Sequence, residues 1–191
     1  WSETDYLLRM EIMKSFLKSA IALSAFSAIV LSAGTASANP YRVEADKPGT
    51  DASYIGAGVS AGVTNGGQTG DAATFGGNIQ GRVAIPNAPV SVRGAVLFSD
   101  ETSAIMPIVS YDQAVADNAN VYVGAGYSFV EANGQPTPLG NDDAPVIVVG
   151  GEAEFFDNVV VYGDAKWGIN AYENSPADAV SFQAGVGYRF N

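Results

Sequence analysis

The side chains best placed to do chemistry are eight ionisable groups set among apolar or small residues: Arg82, Arg93, Asp112, Glu152, Glu154, Asp164, Lys166 and Arg189. Glu152 and Glu154 are two residues apart, as are Asp164 and Lys166, and in a strand that spacing puts both side chains on one face. Opposite charges gathered in this way form ion pairs, whereas paired carboxylates could also serve as general acid and base. The second use lacks its ordinary companions. The chain has no His and no Cys, which removes imidazole and thiolate nucleophiles, the usual general base near neutral pH, disulfide staples and thiolate or imidazole metal sites. The expectation is a protein that is not an enzyme, with no catalytic residue, cofactor or metal centre.

The whole composition narrows the class further. A chain of 191 residues has room for one comfortable domain. Nine Lys and Arg against twenty Asp and Glu give a formal charge of -11, a surface that phosphate backbones repel, so nucleic acid is excluded as a partner. Abundant Gly, Tyr and Phe with little charge lean towards β structure.

The first forty residues read as an address rather than as fold. Lys14 and Lys18 follow Met13, an apolar run extends from Ala20 to Leu31, and Ala36-Ser37-Ala38 precedes Asn39-Pro40. This is the order of a secretory signal peptide over 13–38, cleaved after Ala38 with Ala36 as the other small residue of the site. The run is well short of the roughly 20 residues a membrane-spanning helix needs. Residues 1–12 read as an extension upstream of the true start, and 39–52 as a polar periplasmic lead-in carrying Pro48 and Gly49. No later apolar stretch reaches helical spanning length, so insertion into a membrane would require a closed barrel.

The elements that must position the charged groups are strands. Alternation places them at Ser53–Thr64, Thr74–Ile85, Val90–Ser99, Ser103–Val115, Ala119–Val130, Pro145–Phe155, Val159–Tyr172 and Val180–Phe190, each about the length of a tilted membrane strand. Tight Pro, Asn and Asp turns at 86–89, 116–118 and 156–158 alternate with longer segments at 65–73, 131–144 and 173–179, the short 100–102 connection excepted. With an even strand number the tight turns share the periplasmic side with both termini. The predicted fold is all-β: an eight-stranded antiparallel up-and-down transmembrane barrel over 53–191, preceded by the signal peptide.

The last strand shows the facing most plainly. Val180, Phe182, Ala184, Val186, Tyr188 and Phe190 alternate with Ser181, Gln183, Gly185, Gly187 and Arg189. A soluble barrel has the same period with its apolar face turned inward, so the polar face must decide. It is rich in Gly, Ser, Asn and Gln, and its charges nearly balance, as suits a crowded lumen. Aromatics near strand ends (Tyr54, Phe75, Phe98, Phe129, Phe155, Trp167, Phe182 and Phe190) are expected to form interfacial girdles. The fourth strand is irregular: Met106 and Ile108 break the polar parity of Ser110 and Asp112, and Pro107, which cannot donate to a ladder, suggests a bulge there.

The ending resembles the C-terminal assembly signal of outer-membrane barrels, with Gln183, Gly185, Tyr188 and Phe190 in its polar, glycine and aromatic positions and Asn191 after them. In length, strand rhythm and ending, the mature chain is similar to the small OmpA-like, OmpX-like and opacity-type barrels of the porin family. That resemblance implies residence in the outer membrane of a Gram-negative bacterium. It also implies contact with outer-membrane lipids, and passage through periplasmic chaperones and the barrel assembly machinery. Nothing after Phe190 would supply a peptidoglycan-binding domain.

Eight strands enclose an interior wide enough only for side chains. Arg82, Arg93, Lys166 and Arg189 are therefore expected to pair with Glu152, Glu154, Asp164 and Asp112 across the lumen, since an unpaired charge there is costly. The plain reading is a plug that stiffens a structural or surface-exposed barrel. The alternatives are a low-conductance pore for ions or small solutes and a soluble periplasmic ligand-binding barrel. Small barrels that modify lipid A or cleave acyl chains typically rest on a His, which is missing here. The outward loops carry Asp71, Asp100, Glu101, Glu131, Asp142, Asp143, Glu173 and Asp178 and no Lys or Arg. Asn141-Asp142-Asp143 could bind Ca²⁺ or Mg²⁺ weakly, against the plainer reading of solvated loops.

Overall fold

Period-two alternation, punctuated by Pro, Asn and Asp, resolves into eight strands. The structure, a computed structural model, describes residues 49–67, 74–156 and 158–190. The proposed extension, the signal peptide with Ala36 and Ala38, most of the lead-in, Asp71, Asp157 and Asn191 lie outside the described residues. The strands are β1 (Tyr54–Gly62), β2 (Phe75–Ala84), β3 (Val90–Phe98), β4 (Ser103–Ala116), β5 (Ala119–Val130), β6 (Ala144–Phe155), β7 (Val159–Gly168) and β8 (Ala179–Arg189). Each pairs antiparallel with the next, and β1 pairs with β8 from Tyr54↔Arg189 to Gly62↔Ser181, closing the barrel. Closure leaves no free edge to template aggregation.

The two faces separate cleanly. Ile55, Val59, Ile79, Val109, Val121, Val123, Ile147, Val149, Val161, Phe182 and Val186 are exposed on the outside. Asn78, Gln80, Arg82, Arg93, Ser110, Glu152, Asp164, Lys166 and Gln183 are buried inside. Water-soluble barrels have the reverse arrangement.

Several expectations need correction. Tyr54 does not belong to a girdle; it is buried in the lumen and stacks on Tyr162, with ring centroids 5.7 Å apart. Met106 and Ile108 keep the parity of Ser110 and Asp112, because all four are buried inside. No bulge lies at Pro107, whose neighbours Ile105↔Phe129 and Ile108↔Gly126 keep one register; the irregularity falls between Ala114 and Ala116, next to the turn. Pro107 therefore points outward without shifting the ladder. The seventh strand ends at Gly168 rather than Tyr172, since Asn170 adopts a positive φ and the chain folds over the barrel mouth.

Both mouths are closed by chain. At the end that carries the tight turns, Gly49–Ser53 crosses the opening: the Gly49 amide donates to the Ala116 carbonyl at 2.8 Å, and Thr50 and Ala52 are buried. Gly49 holds φ +96, and a Cβ there would lie 2.3 Å from Asn120 Oδ1. At the loop end, the segment between β5 and β6 dips into the barrel and buries Thr137 and Leu139. Its tip rests directly on backbone that lacks a side chain, as a Cβ at Gly62 would lie 2.6 Å from the Pro138 carbonyl oxygen. Leu139 joins Leu97, Met106, Ile108, Val130, Val146, Val148 and Tyr172 in an apolar cluster at this end of the lumen.

The absence of native Cys makes this plug testable. A single Leu139→Cys is expected to resist a maleimide reagent in the folded barrel. Adding Gly62→Val, whose side chain displaces Pro138, is expected to raise labelling at least tenfold without loss of the folded band on an unheated gel.

Candidate functional site

The interior of the other half is a polar network built on facing strands. Arg82 on β2 and Arg93 on β3 meet Asp112 on β4 and Glu152 on β6. Arg82 Nη2 lies 2.9 Å from Asp112 Oδ2 and Nη1 lies 3.2 Å from Glu152 Oε1. Arg93 Nη2 lies 2.9 Å from Asp112 Oδ1, and Nη1 lies 2.8 Å from Glu152 Oε2. Each guanidinium thus bridges both carboxylates, an arrangement that the planar fork of Arg suits and a lysine could not reproduce.

The remaining donors are spent on neutral groups. Arg82 Nε donates to Ser91 Oγ at 2.9 Å, and Arg93 Nε donates to Ser110 Oγ at 2.8 Å. Both hydroxyls in turn donate to Asp112. Tyr54 donates its hydroxyl to Glu152 at 3.0 Å, and the Arg93 guanidinium lies 3.6 Å from the Tyr122 ring centroid. Arg82 Nη1 also donates to the Ala52 carbonyl at 2.8 Å, which ties the terminal strap to the network. A buried ion pair is tolerable when its lone pairs and protons are satisfied in this way.

A second cluster lies on β7, where Lys166 Nζ is 2.5 Å from Asp164 Oδ1. The pair runs along one strand rather than across the lumen, as i and i+2 neighbours on the inward face. Asp164 also accepts from Tyr122 at 2.8 Å and from Gln183 at 2.8 Å. Gln183 donates to Gln80 at 2.6 Å and Gln80 to Tyr54 at 3.2 Å, so a continuous chain of bonds joins the two clusters. Arg189 and Glu154 form a third pair at the turn-end rim, 2.7 Å apart, with Asp51 2.8 Å from the other Arg189 nitrogen. The fully buried charges cancel: Arg82, Arg93 and Lys166 against Asp112, Glu152 and Asp164.

Thr50, Asp51, Asn120 and Tyr54, which the charge pattern of the sequence does not mark, also belong to this network. Asn120 Nδ2 donates to the Thr50 carbonyl at 2.6 Å, and Thr50 Oγ1 donates to Glu154 at 3.2 Å. Only the parity of Tyr54 and Asn120 with inward neighbours could have found them; a strap that crosses a mouth has no period to read. Of the C-terminal signal positions, Gln183 faces the lumen, while Tyr188 and Phe190 are exposed on the outside.

At the loop end the acidic groups hold the loops themselves. Asp142 accepts from Asn133 at 2.7 Å, Asp143 from the Val130 amide at 2.8 Å, and Asp178 from Trp167 Nε1 at 2.9 Å. Asn141 Oδ1 accepts from the Glu173 amide at 2.9 Å, linking the loop before β6 to the loop before β8. The Tyr172 hydroxyl donates to the Thr64 carbonyl at 2.5 Å, and burial pushes that phenol above its ordinary range, so it remains a donor.

Solved structures share this architecture. Neisserial surface protein A superposes with a TM-score of 0.52 at 18% identity, over 72% of this chain and 97% of that one. Ail, the attachment invasion locus protein of Yersinia pestis, gives 0.49 at 16% identity, over 74% of this chain and 100% of that one. The N-terminal β-barrel domain of Pseudomonas aeruginosa OprF gives 0.48 at 14%, over 73% and 98%. The likeness to the Neisserial protein is one of fold, the closed eight-stranded antiparallel barrel described above. No family model and no curated protein sequence matches the chain significantly.

The network should be strongly coupled. Removing one partner strands a buried charge, at a cost of about 3–5 kcal/mol. Glu152→Leu and Arg93→Met are each expected to lower the stability of the refolded barrel to urea by that order. The double variant should cost clearly less than their sum in a double-mutant cycle; additive losses would show that the groups act independently.

Proposed function

We propose that this chain is a non-enzymatic barrel of the bacterial outer membrane whose filled lumen is closed to solutes and whose loop end faces outward. The observation that supports it most is the inverted distribution of side chains: apolar groups cover the outside of the sheet, and the buried ions lie within. Lipid tails solvate such an exterior, whereas water would not. Phe75, Phe98, Phe129, Trp167 and Phe182 lie towards the loop end of the outer surface, and Phe155, Tyr188 and Phe190 towards the turn end, the placement of two interfacial girdles.

On this reading residues 13–38 direct export and are removed after Ala38, and 39–52 form the periplasmic lead-in to a barrel over 53–191. Gln183, Gly185, Tyr188 and Phe190 are offered to the assembly machinery on the final strand. Outer-membrane lipid is the principal partner. The role is structural or surface-exposed, because the strap at one mouth, the ion network and the Leu139 plug leave the interior occupied by side chains along its length.

Three measurements separate this reading from its competitors. The expressed protein should sediment with outer membranes, require detergent for extraction and run faster on an unheated gel than after boiling. Recovery in the soluble periplasmic fraction would identify a ligand-binding barrel instead. In planar bilayers the purified barrel should be silent, and Lys166→Ala should leave it so. Steady conductance that this substitution alters would establish the low-conductance pore. Val149→Arg, at the middle of β6 and 58% exposed on the outside, should destabilise the barrel refolded in vesicles by about 2–4 kcal/mol. A near-zero effect there would mean that water bathes this face.

A further inference from the structure

A buried polar atom left dry forfeits its hydration without return, so such atoms in a folded protein call for a partner. Three side-chain atoms among the described residues are buried without one: Ser128 Oγ, Ser181 Oγ and Gln183 Oε1. Ser128 sits alone on β5, but the other two are successive inward residues of β8. Ser181 lies directly across from Lys166, and Gln183 across from Asp164. Opposed residues on one face of an antiparallel pair have Cβ atoms about 4.5–5.5 Å apart.

The orientation of the Gln183 amide is fixed by its neighbours. Its Nε2 donates to Gln80 Oε1 at 2.6 Å and to Asp164 Oδ2 at 2.8 Å. Flipping the amide would set Oε1 against two acceptors, so Oε1 must face away from both. Lys166 carries three ammonium protons, and Nζ reaches only Asp164 among the described residues. Unused ammonium donors, a hydroxyl and an amide oxygen therefore occupy neighbouring inward positions, all buried.

We propose that Lys166, Ser181 and Gln183 hold a structural water inside the barrel. The occupant must accept from the ammonium and donate to the Gln183 oxygen. Water does both; a simple anion cannot donate, and the ammonium repels a cation. Three partners is also the usual complement of a buried water. The Leu139 plug above and the Tyr and Arg network below give it no open path, so it is enclosed as the barrel closes and leaves only when the barrel opens locally. The same water adds a link between Lys166 and the chain of bonds from Gln183 through Gln80 and Tyr54 to Glu152.

Slowly exchanging water is visible by NMR as cross-peaks between the water resonance and nearby amide protons, with the sign of a tumbling macromolecule. In the ¹⁵N-labelled barrel in micelles such peaks are expected at the amides of residues 181–183. They should persist in Ser181→Ala, which removes the hydroxyl as a source of relayed exchange while leaving two holders. They should disappear in Ser181→Leu, whose side chain fills the space. Folding of each variant is checked by its mobility on an unheated gel. Absence of the peaks from the folded wild type overturns the proposal, as does their loss in Ser181→Ala or their retention in Ser181→Leu. The wild-type spectrum decides the matter alone if a variant fails to fold.

Discussion

The constraint on which everything else depends is that an eight-stranded barrel has an interior only as wide as its own side chains. Charges placed there have neither bulk water nor distance to screen them, and each must be met by a group of this chain. Arg82 and Arg93 each answer two carboxylates, Asp112 and Glu152, and the hydroxyls of Ser91, Ser110 and Tyr54 complete the shell. Because the buried charges cancel, the network costs little net charge, and its geometry selects one register for β2, β3, β4 and β6. A shift of one residue on any of these strands would turn an ion outward and an apolar side chain inward.

The lumen is layered rather than uniform. Arg82, Arg93, Asp112 and Glu152 fill the turn-end half; towards the loop end, aliphatic side chains from β3 to β6 gather around Leu139, while Asp164, Lys166, Ser181 and Gln183 line the β7–β8 side. Connecting segments complete both layers: Thr50 and Ala52 enter from one end, and Pro138 and Leu139 from the other. The loops are therefore part of the core at this end, which explains why so many acidic oxygens, among them those of Asp142, Asp143 and Asp178, are turned back onto loop and strand donors.

The period of two made most of this legible beforehand. β8 and β7 declare their faces residue by residue, and the tight turns at 86–89 and 116–118 mark where strands end. The balanced signs of Arg82, Arg93, Glu152 and Asp164 on the polar face anticipated an interior network, although pairing partners follow from barrel curvature, which no local pattern encodes. Lys166 thus pairs along its own strand with Asp164. The misread places share a cause. Met106, Ile108 and Tyr54 break an expected match between polar and inward, because the β3 to β6 side of the loop-end lumen is apolar and because a Tyr can present its ring and its hydroxyl to the same interior. The strap at Gly49–Ser53 and the plug at Thr137–Gly140 are aperiodic segments whose burial is decided by the mouths they cover.

The central claim is that lipid is the solvent of the outer face, and Trp167 reports on it directly. In the chain beginning at Asn39 it is the only tryptophan; it lies on the outside of β7 at 47% exposure. Its fluorescence can be followed in vesicles whose acyl chains carry bromine at graded depths. The account predicts strong quenching by bromines near the interface, weaker quenching by bromines near the bilayer centre, and little quenching by aqueous iodide. Iodide quenching with no response to any brominated lipid would contradict it.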